Sequence, residues 1–85
     1  MISFKLVSGF YHNLTYSSGE VVNLDFSKIT ESDIRWFEDS DNIKYILGET
    51  VDVIYNGKSR IDGSPMFLID IDKESRDIMI RNLLK

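Results

Sequence analysis

Val51-Asp52-Val53-Ile54-Tyr55-Asn56-Gly57-Lys58-Ser59-Arg60-Ile61 is the stretch on which the fold class turns. Val51, Val53 and Tyr55 alternate with Asp52 and Ile54, the period-two pattern of a strand. Asn-Gly follows at once, and both residues tolerate the positive φ of a type I′ turn. The pattern predicts a hairpin centred on Asn56-Gly57, with residues 58–61 as its return strand. Asp62-Gly63-Ser64-Pro65 then reads as a loop, with Pro65 opening the next strand, where its missing donor does little harm. Residues 66–71 are nearly continuous in apolar side chains, as in a central strand.

Beyond Asp72 two periods compete. Ile78 and Ile80 alternate as a strand would. On a helical wheel, Met79, Ile80, Leu83 and Leu84 share one arc opposite Asp77, Arg81, Asn82 and Lys85, with only Ile78 off the stripe. The helix is preferred: Asp72 supplies an N-cap, Glu74 suits the first turn, and Arg81 and Lys85 suit the last.

Toward the N-terminus, Ile2, Phe4 and Leu6 alternate with Ser3 and Lys5 and form a first strand up to Gly9. Residues 11–16 alternate as a second, and Ser17-Ser18-Gly19 is turn chemistry leading into a third over residues 20–24. Thr30-Glu31-Ser32-Asp33 sets a hydroxyl three residues before a carboxylate, a variant of the capping box, and predicts a short helix over 31–39 with Ile34 and Phe37 facing the core together. Ile43, Tyr45 and Leu47 then alternate as a fourth strand. The expected architecture is a single α+β domain over residues 1–85. It is a small antiparallel, barrel-like or curved sheet with a short helix near 31–39 and a C-terminal helix. Its expected core is Phe4, Leu6, Leu14, Val22, Ile34, Phe37, Ile43, Tyr45, Val53, Phe67, Ile69 and Ile80.

Composition narrows the function. Eighty-five residues hold one small core. With no cysteine there is no thiolate metal site, and with one histidine no His-pair zinc motif. A net charge of −4 argues against a sequence-independent grip on nucleic acid, including stacking of single strands on Tyr11, Tyr16 or Tyr55. No apolar run reaches membrane-spanning length, and Met1-Ile2-Ser3-Phe4-Lys5 lacks a signal-peptide pattern. Asp70 and Asp72 would share one face of a strand, with Asp52 or Asp62 near, as hard cations require. A strand edge running into a helix cap accounts for them without a metal. His12 has no partner acid at a telling spacing and reads as structural. The isolated glycines begin no phosphate-binding loop. No catalytic residue, metal set or cofactor is assigned. Trp36, Tyr11 and Tyr55 are instead the aromatic types that anchor protein interfaces; Trp36 reads equally as peripheral core capping the sheet edge.

The first half has a further likeness. Phe4-Lys5-Leu6-Val7-Ser8-Gly9 with Tyr11, then Tyr16-x-x-Gly19 and Val21-Val22, then Ile34 and Phe37, then Ile43-Lys44-Tyr45, resembles the N-terminal domain of the YqbF-type prophage proteins and of the Mu-like prophage proteins of the FluMu type. The likeness spans roughly residues 4–46 and ends after Gly48. It carries over no catalytic residue. Because such proteins are typically encoded among phage head genes, it implies a virion structural protein, capsid-associated or head–tail joining, that binds shell proteins or copies of itself. The other function expected of such a chain is a small phage-encoded acidic regulator that inhibits a host enzyme or defence complex.

Overall fold

The structure, a computed structural model, describes residues Met1–Leu84. Five strands, β1 (Ile2–Leu6), β2 (Val21–Asp25), β3 (Ile34–Trp36), β4 (Thr50–Lys58) and β5 (Pro65–Ile69), form one antiparallel sheet in the order β2-β4-β5-β1-β3. The sheet is α+β in class and open: β2 and β3 are its free edges, so it does not close into a barrel. Strand β5, the most apolar, is central as its sequence predicts. A one-turn helix α1 (Ile43–Ile46) and a longer α2 (Ile71–Leu83) complete the fold.

Alternation puts one residue in two on the inner face. Val22 and Leu24 of β2, Val51, Val53 and Tyr55 of β4, Phe67 and Ile69 of β5, and Phe4 and Leu6 of β1 are all buried. Phe26, Ile46, Ile71 and Ile78 close the core over them. The cross-strand register aligns four aromatic residues in one row: Tyr55 faces Phe67, Phe67 faces Phe4, and Phe4 faces Trp36. Their ring centroids are 5.7, 5.4 and 4.9 Å apart in that order, within the range of favourable aromatic pairs.

Four expected elements differ. Residues 11–16 do not form a strand. Ser8 Oγ accepts from the Phe10 N–H, and Tyr11 and His12 donate back to Ser8 and Gly9, which closes a 3-10 turn over Gly9–Tyr11. Local acceptors satisfy the backbone there before a ladder can. The helix expected over 31–39 is a 3-10 turn (Glu31–Asp33) followed by β3. The cap itself exists, since the Asp33 carboxylate accepts from the Thr30 N–H (3.2 Å) and hydroxyl (2.9 Å). The chain then pairs Ile34 with Leu6 and Trp36 with Phe4 rather than continuing to coil. Phe37 donates its N–H to Ser3 and turns outward, 49% exposed, with Lys5 Nζ 5.8 Å from its ring centre. The strand expected at 43–47 is α1, nucleated by the bonds Ile43 N–H to Ser40 and Tyr45 N–H to Asn42. It buries Ile46 and leaves Tyr45 exposed.

The fourth difference is at Asn56-Gly57. Gly57 does take positive φ (81°), but β4 runs on to Lys58, which pairs with Pro65. Between Tyr55–Phe67 and Lys58–Pro65, two residues of β4 oppose Met66 alone, so Asn56-Gly57 is a β-bulge. The reversal falls instead at 59–64, where the Ser59 N–H donates to the Ser64 carbonyl and Gly63 has φ 76°. No atom lies within 4 Å of where a Gly57 side chain would start. Gly57→Val is therefore expected to cost about 1–2 kcal/mol through backbone strain alone; an unchanged melting temperature would contradict it.

The expected core holds for Phe4, Leu6, Val22, Ile34, Val53, Phe67 and Ile69. Leu14 and Ile43 are half-buried, and Phe37, Tyr45 and Ile80 are exposed. α2 is helical as preferred, but Asp70 rather than Asp72 caps it, by accepting from the Lys73 N–H. Lys85, expected in the last turn, lies outside the described residues.

Candidate interaction surfaces

Of the three aromatic residues expected at an interface, Tyr55 is not available. It is 4% exposed, at the inner end of the aromatic row, with Tyr16 against its ring at 5.4 Å. Its alternation with Val51 and Val53 places it inside. Tyr11 is half-buried, edge-on to Phe10 at 5.2 Å, and burial followed by the nearby Asp33 charge pushes its phenol up. Trp36 is half-buried at the opposite end of the row, on the β3 edge. The three do not converge on one surface patch.

Trp36 does line a groove. Its indole, Ile34, Ile43 and Leu47 form the apolar walls, and Glu31 and Asp39 stand in the lining, in a space of about 300 Å³. Sheet and loop each supply half of it: β3 brings Ile34 and Trp36, and the segment through α1 brings Ile43 and Leu47. Ile34, Ile43 and Leu47 read in the sequence as core or strand residues, and Glu31 and Asp39 as the ends of a helix, because nothing local shows that the chain folds them together.

A second apolar surface lies at the far end of α2. The buried face of this helix is Ile71, Ser75 and Ile78, spaced i, i+4, i+7. The stripe expected to face the core therefore faces solvent: Ile80 is 56% exposed, and Leu83 and Leu84 are each 83% exposed. The signal that finds this is the phase set at Ile71, the first residue after the Asp70 cap.

The open face of the sheet carries a third. Val21, Ile54 and Leu68 lie in one cross-strand row and line a groove of about 280 Å³ with Asp52, Asp70 and Glu74 beside them. Burial raises the Glu74 carboxyl; Lys73 pulls it back, and the Asp52, Asp77 and Asp70 charges add to the rise. Asn23 bridges to Asp52 across the strands (2.9 Å). The acids expected to meet near Asp70 do meet in part, but among the described residues no three acid or histidine side chains are placed to hold one metal ion.

Two polar pairs have the composition of chemistry without its access. Ser64 Oγ is 3.3 Å from His12 Nε2, but Ser64 is wholly buried, so its hydroxyl cannot meet a substrate. With Lys58 Nζ on the His12 carbonyl (2.8 Å), the pair ties the 10–16 loop to the β4–β5 connection. Lys5, on the open face yet nearly buried, pairs with Asp62 at 3.0 Å. The Ser64 N–H and the Lys5 ammonium hold the Asp62 carboxyl well below the usual carboxylate range. A lowered folded-state pKa stabilises the fold above the unfolded value, about 3.9, and that contribution disappears as pH falls toward the folded value. Acid unfolding below about pH 4 should accordingly become shallower in Asp62→Asn. Identical acid titrations of the two proteins would rule out this role.

No helix among the described residues is long and apolar enough to cross a membrane. No protein family, curated protein or solved structure matches the chain.

Proposed function

We propose that the chain works by binding protein, as a small structural component of a bacteriophage particle, capsid-associated or head–tail joining. The observation that carries binding is the presence, on so small a body, of both an uncovered apolar helix end and a groove with apolar walls around Trp36. Contiguous apolar patches of this kind mark interaction sites. The particle context is supported by the resemblance in residue spacing over 4–46. That support is one of spacing: the resembling residues Ile34 and Ile43-Lys44-Tyr45 lie here on β3 and α1. On this reading the protein resides in the virion after passing through the host cytoplasm, and its partners are shell or joining proteins or further copies of itself.

One observation favours a second reading. The acids flanking the open-face groove suit a basic site on a host enzyme or defence complex, as an acidic inhibitor would require. Quantitative mass spectrometry of purified particles from the encoding phage or prophage separates the two. A fixed stoichiometric copy number in particles is expected; early expression with absence from particles would overturn the structural reading in favour of the regulator.

A further inference from the structure

We propose that a second copy of this chain covers the projecting end of α2. Two copies pair about a two-fold axis, with Ile80, Leu83 and Leu84 of each seated in the Trp36 groove of the other. This rests on the reading that the chain acts by binding protein, and it names the partner and the surfaces.

The helix presents the first half of the contact. Thirteen residues make α2 about 20 Å long, yet its buried residues end at Ile78. The molecule is elongated, 41 × 25 × 21 Å. The groove presents the second half, with apolar walls and space for a few aliphatic side chains.

Charge selects this match over random adhesion. At net −4, two copies repel on average. Two cations of α2, Arg76 at mid-helix and Arg81 in the last turn, are in no ion pair among the described residues, and neither are Glu31 and Asp39 at the groove. Long arginine side chains beside an apolar tip can reach those carboxylates while the leucines go in.

Topology closes the pair. Asn42 Nδ2 donates to Asp72 at 2.8 Å, so α2 starts beside α1, and Ile43 of α1 lines the groove. When two α2 helices run antiparallel, the tip of each arrives where the other begins, next to its groove. The contact is then made twice and is self-complementary, as a two-fold dimer requires.

Sedimentation equilibrium of the full chain from about 1 to 500 µM tests this, a range that brackets a weak symmetric dimer. A monomer–dimer equilibrium is expected. The tip variant Leu83→Asp/Leu84→Asp alters only exposed side chains, and its helical circular dichroism should be retained. It is expected to lower the association constant at least about tenfold. The groove variant Glu31→Arg/Asp39→Arg, also at exposed positions, should weaken pairing as well. Mixing the two variants restores one tip-in-groove contact, so the mixture should associate more tightly than either variant alone. A wild-type chain that stays monomeric throughout, or a dimer indifferent to either variant, overturns the proposal. A monomeric chain present in particles would sink this pairing and leave the structural reading standing; a dimer absent from particles would do the reverse.

Discussion

Replacing Phe67 with alanine is expected to remove about a quarter or more of the stability of the fold, while the same change at Phe37 leaves it nearly intact. Phe67 sits on the central strand with no exposed surface, its ring against Phe4 (5.4 Å), Tyr55 (5.7 Å) and Tyr16 (6.5 Å). Truncation loses the transfer free energy of the ring and leaves a cavity that β5 and its paired strands β1 and β4 cannot collapse around, about 3–5 kcal/mol. At about 0.05–0.15 kcal/mol per residue, a chain of 85 residues has a total stability of roughly 4–13 kcal/mol. The helix expected over 31–39 would face Phe37 inward and give its truncation a comparable cost. It is half exposed, with Lys5 over its ring, and surface truncations stay within about 0.5–1 kcal/mol. Urea unfolding of both variants decides the matter: equal midpoints would mean that the β3 register is wrong.

What separates these two phenylalanines is also what separates the legible parts of the sequence from the rest. Strands β1, β2 and β4 are written locally as alternation and β5 as an apolar run, bounded by Gly19, Gly48 or Pro65. Strand β3 is three residues long, and its justification lies in Phe4 and Leu6, some thirty residues upstream. The local signal at that point, Thr30 with Asp33, is a genuine cap on a turn that goes no further. At 43–47 the alternation of Ile43, Tyr45 and Leu47 is real, but five residues cannot distinguish a strand from one helical turn once Ser40 and Asn42 offer acceptors. Gly57 shows a third kind of miss. Its need for positive φ was legible, whereas its use as a bulge depends on Lys58 finding Pro65. The surfaces follow the same rule. Trp36 was legible as an interface-type aromatic. Its groove was not, because Ile34, Ile43 and Leu47 meet only through the folded loop.

The orientation of α2 gives the second large effect, and the one most opposed to the helical wheel. Ile78→Ala is expected to cost about 2–4 kcal/mol, whereas Leu83→Ser/Leu84→Ser should change stability by no more than about 0.5 kcal/mol. The wheel favours the arc richest in apolar residues, which would put Leu83 and Leu84 inside and Ile78 out. The chain cannot choose that arc freely. Pro65, Phe67 and Ile69 point into the core along β5, and the Asp70 side chain caps the very next turn. Ile71 thereby enters the core at 5% exposure, and helical geometry carries Ser75 and Ile78 in after it. Ser75 tolerates burial because its hydroxyl donates to the Asp72 carbonyl at 3.1 Å, leaving no polar atom unpaired. The same phase turns Ile80, Leu83 and Leu84 to solvent, where their removal costs the isolated fold almost nothing. A thermal melt of the two variants reads out this phase directly. If the serine pair unfolds the protein and Ile78→Ala does not, α2 is rotated by roughly half a turn from the structure described, and its apolar end is core rather than a surface for a partner.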